Sequence, residues 1–226
     1  MGKEQFARYP RYDVGREILK LIAIVTMTID HIGAVLYPEH AVLRAIGRLA
    51  FPLFSYLLVL GVESEKDIPN YMTRLFLFGL ISQVPFSLAF GYALLKLNIF
   101  FTLALGVVFL SNPILIVLPF LASVFLDFDY GLYGIILIGC MRILYVNTKL
   151  GVISLVFLGV ASWFLWETQI FFLISLPFIL LHKSDYLRVK RGVTGDVAYP
   201  AWRKYLFYVY YPLHLTALYL VNVSFF

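Results

Sequence analysis

The sequence predicts an all-α, polytopic integral membrane protein with about nine transmembrane helices and a cytoplasmic N-terminus. Three observations carry that expectation. Of its 226 residues, 62% are hydrophobic and only 14% are charged, whereas soluble domains carry roughly 25% charged residues. The core of one or two soluble domains could not absorb 21 Phe and 16 Tyr. The apolar residues come in long runs, and about 20 such residues let a helix cross the hydrocarbon. The two-residue alternation of an outer-membrane barrel is absent, which leaves helices to pair every backbone group in lipid. A cytosolic enzyme, a nucleic-acid binder and a disordered chain are thereby excluded. The mean hydropathy of +0.87 agrees.

The elements follow in order. Residues 1–17 are polar and basic and form a cytoplasmic segment; residues 18–226 form one transmembrane domain. The first span, 18–37, is long enough to act as an uncleaved signal-anchor. Spans 42–62 and 70–91 are full-length apolar runs. Spans 98–111 and 112–126 are shorter and separated only by Ser111-Asn112-Pro113, which predicts a tight hairpin or a broken helix. Spans 130–146, 150–166, 168–182 and 205–223 complete the set, with no internal repeat. With the N-terminus inside, fifteen of the 18 basic residues fall on the cytoplasmic side, leaving Arg44, Arg48 and Lys96 outside with Glu39, Asp127, Asp129 and Glu167. The net charge of +5 therefore reads as loops facing anionic lipid rather than nucleic acid. The single cysteine, Cys140, excludes an internal disulfide, and the four histidines lack metal-binding spacing, so no metal is expected.

Ionisable groups within a span are costly unless they are paired or face a cavity, so each is a functional candidate. The first span carries Asp30 and His31, the second Arg44 and Arg48 on one helix face, the third Gln83, and the fourth opens with Asn98. At about 1.5 Å per residue these side chains reach one layer in the outer half of the membrane. His214 lies near mid-membrane in the last span, beside Pro212. Arg74, Arg142 and Arg203 stand at inner span ends, where they anchor lipid phosphates or hold a phosphorylated cytosolic donor. The packing alternatives are an Asp30–Arg48 ion pair that locks two helices, a snorkelling Arg44, and His214 as a backbone cap.

Several segments resemble the TraX family. Met27-Thr28-Ile29-Asp30-His31-Ile32-Gly33 looks like its opening motif, and Ile46-Gly47-Arg48-Leu49-Ala50-Phe51-Pro52-Leu53-Phe54 like its second-helix motif. Tyr71-Met72-Thr73-Arg74-Leu75, Gln83-Val84-Pro85-Phe86, Asn98-Ile99-Phe100-Phe101-Thr102-Leu103 and Tyr211-Pro212-Leu213-His214-Leu215 resemble later ones, in order. The sequence departs from the pattern at Glu63-Ser64-Glu65-Lys66-Asp67, where the family usually shows a Thr-Arg-Asn turn. The family is named for the protein that N-acetylates conjugative pilin subunits. It is similar to the acyltransferase-3 and heparan glucosaminide acetyltransferase groups.

The resemblance implies acetyl-CoA as donor substrate and an acceptor amine or hydroxyl beyond the membrane. On that view His31 is the base or a transient acyl carrier, Asp30 orients its surroundings, and Arg48 stabilises the oxyanion. Gln83, Asn98, Arg44 and His214 contact the acceptor, while Arg74, Arg142 and Arg203 hold the CoA phosphates. Removing Arg48 is expected to strand Asp30 without a partner. The rival reading is a small transporter or lipid flippase with the same polar layer as a permeation site, for which an internal repeat or paired broken helices would be expected.

Overall fold

The computed structural model describes residues 13–64, 67–165, 167–184 and 201–225. These form helices, with an isolated parallel bridge between Leu97 and Phe128. The order is α1 (Val14–Val35), α2 (Ala41–Gly47), α3 (Ala50–Ser64), α4 (Ile68–Phe90), α5 (Ile99–Ser111), a 3-10 turn (Pro113–Ile116), α6 (Val117–Phe125), α7 (Gly131–Val146), α8 (Thr148–Leu165), a 3-10 segment (Glu167–Ser175), α9 (Leu176–Lys183) and α10 (Ala201–Phe225). Four stretches are long and apolar enough to cross a membrane: Val14–Val35, Ala41–Ser64, Ile68–Phe90 and Tyr205–Phe225. Five more, 99–111, 113–125, 131–146, 148–164 and 168–183, are apolar but shorter.

Local chemistry sets the helix ends. The Asp13 side chain accepts from the Arg16 N–H at 3.2 Å and caps α1. Asp67 does the same for α4 through the Asn70 N–H at 3.0 Å, and α4 stops where Gly91 enters the left-handed region at φ 65°. Asn98 caps α5 through the Phe100 N–H. Asn112 then ends α5 and starts the next turn, with Pro113 behind it. The fourth and fifth expected spans thus form a hairpin. Its two open ends are tied by Leu97 N–H to the Asp127 carbonyl at 2.7 Å and Asp129 N–H to the Leu97 carbonyl at 2.8 Å. The 13 residues of α5 reach only about 20 Å.

Two expected spans are less regular than the sequence suggested. The 42–62 span breaks at Arg48–Leu49 between α2 and α3. Pro52 has no N–H for the Arg48 carbonyl, and its ring crowds that carbonyl, so the helix cannot run on unbroken. The 168–182 span begins as nine residues of 3-10 helix before α9, an uncommonly long stretch of that geometry.

The core runs along the bundle through Leu19, Leu53, Tyr56, Phe100, Ile138 and Tyr211. Phe76, Leu80, Ile81 and Val84 of α4 face outward. Such an exterior suits lipid rather than water. One end of the bundle is knit by the Arg142–Glu63 ion pair and by Lys183 donating to the Leu144 and Tyr145 carbonyls. His182, fully buried, joins that end, bonding Tyr56 through Nδ1 and Asp13 through Nε2. Burial would raise the Asp13 carboxyl, but the His182 and Arg16 contacts outweigh it and hold the group below the usual range.

Candidate functional site

At the opposite end, Asp30 and His31 sit side by side on α1 and leave it about 100° apart. Their side chains therefore meet different helices. Asp30 turns to α2, where Arg44 Nη1 lies 2.9 Å from Oδ2 and also donates to the Asp30 carbonyl at 3.0 Å. Arg48 Nη2 lies 3.5 Å from Oδ1. The break at Arg48 lets that guanidinium also donate to Gln169 Oε1 at 3.4 Å and to the Arg44 carbonyl at 3.3 Å. Arg44, which the sequence left between snorkelling and acceptor binding, is the shorter of the two ion pairs.

Gly47 makes this approach possible. A Cβ there would collide with the Asp30 carboxylate and its Cβ, so only glycine lets α2 close on α1 at that point. Gly47→Ala should force the two helices apart and cost about 1–3 kcal/mol, the usual range for overpacking. Thermal unfolding in detergent measures it, and a variant as stable as the native chain would show that α2 yields freely.

His31 turns the other way, to α10. Its Nδ1 lies 2.7 Å from Nε2 of His214, with the two rings nearly parallel at 6°. His214 Nδ1 lies 2.9 Å from the Tyr210 carbonyl. Phe90 and Tyr211 close over His31 edge-on, with centroids at 5.1 and 6.0 Å. Pro212 has no N–H for the Tyr208 carbonyl four residues back, so it does not account for this bond; His214 Nδ1 reaches the carbonyl of Tyr210, one turn earlier on its own helix. Tyr210 is held in place by its hydroxyl contact with Thr28 at 2.6 Å.

Gln83 and Asn98 are occupied elsewhere. Gln83 Nε2 donates to the Leu94 and Lys96 carbonyls, and its Oε1 accepts from the Asn98 backbone N–H and side-chain amide. Asn98, fully buried, also donates to the Gly79 carbonyl at 2.7 Å. Together they pin the 94–98 turn, with every side-chain N–H of the two amides engaged. Of the arginines expected at the inner face, Arg142 pairs with Glu63 and lies 5.6 Å from the Tyr145 ring, and Arg74 lies 5.5 Å from the Tyr71 ring. The side chain of Arg203 lies outside the described residues.

Sequence reasoning missed Gln169, whose signal was a lone amide in an otherwise apolar stretch. It also missed the turn before α7, where Tyr130 adopts φ 65° and Gly131 φ 43°. That turn brings Asp129, Tyr130 and Tyr133 within electrostatic reach of Arg48. Burial above all pushes the Asp129 carboxyl up to about 6, with Lys96, Arg48 and Arg44 pulling it down and Asp30 pushing it up. The site thus has two faces on α1: an acid–guanidinium cluster on one and an imidazole pair on the other. Such a pair can take up a proton beside groups able to stabilise a developing anion.

The family model described as "TraX protein" matches residues 15–222. A probable fimbrial assembly protein FimC of Dichelobacter nodosus is 28% identical over 233 aligned residues, covering 88% of this chain and 92% of that protein. An uncharacterised protein of Rickettsia prowazekii is 37% identical over 40% of this chain and 34% of its own length. Protein TraX of Escherichia coli is 33% identical over 40% of this chain and 37% of its own. No solved structure matches significantly.

Proposed function

This chain belongs to the TraX family, and from that premise we propose that it is a membrane-embedded acetyltransferase. In this reading it moves an acetyl group from cytosolic acetyl-CoA to an amine or hydroxyl on the far side of the membrane. The observation that carries the reading is the imidazole pair set beside the Asp30–Arg44–Arg48 cluster. The names of two relatives, a probable fimbrial assembly protein and protein TraX, support an acceptor among the components of surface appendages.

Nε2 of His31 takes the proton from the acceptor as the acceptor's N or O bonds to the thioester carbonyl carbon. Arg48 faces the oxyanion that results, and its contacts with Asp30 and Gln169 fix its direction beforehand. The carbon–sulfur bond then breaks, and CoA leaves as the thiol carrying the proton from His31. Arg74 and Arg142 remain candidates for the CoA phosphates on the inner face, in competition with their existing partners.

The test is mass spectrometry of envelope peptides and glycans from cells with and without this protein, fed isotopically labelled acetate. Labelled acetyl groups that depend on the protein support the reading. Their absence, together with no acetyl-CoA binding by the purified protein, would favour transport instead. We further assign all nine apolar stretches as crossings, with the N-terminus and residues 183–204 cytoplasmic and residues 127–129 outside. Reporter fusions at those positions and at Phe226 check this. A cytoplasmic Phe226 would require one crossing fewer or more.

A further inference from the structure

We propose that His214 is a positioning residue that locks His31 into a single tautomer, with its proton on Nδ1 and the Nε2 lone pair bare. This deepens the acetyltransferase reading and rests on it for its catalytic consequence, though not for its geometry.

The tautomer follows from a chain of bonds with a fixed end. A backbone carbonyl can only accept, so the 2.9 Å contact between His214 Nδ1 and the Tyr210 carbonyl requires the proton on His214 Nδ1. A neutral imidazole with that proton has its lone pair on Nε2. The 2.7 Å contact from there to His31 then requires a proton on His31 Nδ1. Two hydrogen bonds therefore run one way, from His31 through His214 to the Tyr210 carbonyl. Among the described residues, His31 Nε2 has no hydrogen-bond partner, which leaves it available to a reacting group.

The anchor itself is braced. Tyr210 stacks on the His214 ring at 4.8 Å and 9°, and its hydroxyl meets Thr28 on α1, one turn before His31. The same two helices thus hold both ends of the bond network in register. The ring planes of His31 and His214 are nearly parallel, with centroids 5.0 Å apart, and the 2.7 Å contact between nitrogens spans almost the whole gap between the rings, so the bond runs along the imidazole edges rather than across a face. A serine-protease triad gives its histidine this orientation with a carboxylate. Here a second, neutral imidazole does it, and the nearby carboxylate, Asp30, is committed to Arg44 and Arg48. The arrangement sets the direction of the base without placing a negative charge beside it. Partners that orient a histidine in this way typically matter by 10–100-fold when removed, as they do at metal sites.

The tautomer is read directly by nitrogen NMR of the detergent-solubilised, histidine-labelled protein, with His31 identified by its loss in His31→Gln. The expected native signature is a protonated Nδ1 and a bare Nε2. His214→Leu fills the space but cannot accept, so the Nδ1 proton should be lost as a fixed feature and acetyl transfer should fall about 10–100-fold. His214→Gln offers an amide oxygen where Nε2 accepted, and should restore the tautomer and most of the lost rate. A native His31 protonated on Nε2 overturns the proposal, even if the protein is an acetyltransferase. Failure of His214→Gln to recover activity while it retains the tautomer also overturns the positioning role. If the native protein transfers no acetyl group, the acetyltransferase reading fails instead, and the NMR signature still decides whether His214 sets the tautomer.

Discussion

Replacing His31 by alanine should lower acetyl transfer by about 10²–10⁴-fold, the usual worth of a positioned general base. That corresponds to roughly 3–5 kcal/mol of barrier. The loss of stability should be smaller. The substitution deletes no charge, but it leaves His214 Nε2 without its partner at 2.7 Å, and an orphaned buried acceptor costs about 1–3 kcal/mol. The edge contacts with Phe90 and Tyr211 also go. Acetyl-CoA affinity should hold, because the arginines assigned to its phosphates stand at the other end of the bundle. Transfer measured at saturating donor, beside a thermal unfolding curve and a donor titration, separates these three quantities. An active variant would reduce His31 to a packing residue between α1 and α10.

Much of the fold was legible because it is written locally. The caps at Asp13, Asp67 and Asn98 and the stop at Gly91 lie within a few residues of the ends they set. The apolar runs between them need only be counted. The break at Arg48 was not read: its signal, Pro52 four residues on, lay inside a run of apolar residues that passed for one continuous span. What could not be read was rotation. His31 and His214 are 183 positions apart, and nothing in either segment says which face of α10 turns toward α1. The shared depth of His31, Arg48 and Gln83 suggested one polar cluster. The structure divides it into an imidazole pair, an ion-pair cluster and an amide pair that holds a turn. Depth depends on position along a helix, whereas partnership depends on its azimuth, and only packing fixes that.

The same division decides where stability is concentrated. Asp30→Ala should be the most destabilising single change at the site, at about 3–5 kcal/mol, because it removes the shared partner of two cations. Arg48, with 11% of its side chain exposed, would be left in a low-dielectric setting, whereas Arg44, at 31%, has more access to water or headgroups. The sequence alone suggested that Arg48→Ala would strand Asp30. In the structure Asp30 keeps Arg44 at 2.9 Å, the shorter of its two pairs. Arg48→Ala should therefore cost only about 1–3 kcal/mol of stability, the range for losing a charged hydrogen bond. Its activity should nonetheless fall about 10²–10³-fold, the range for deleting an oxyanion donor. The two substitutions thus separate quantities that a simple ion pair would move together. Unfolding midpoints in one detergent, with transfer rates taken well below both midpoints, give the comparison. If Asp30→Ala unfolds at the native midpoint, the arginines are solvated and the cluster does not hold α1 to α2. If Arg48→Ala transfers acetyl at the native rate, oxyanion stabilisation must come from elsewhere, and Arg48 is left with its structural contacts to Asp30 and Gln169.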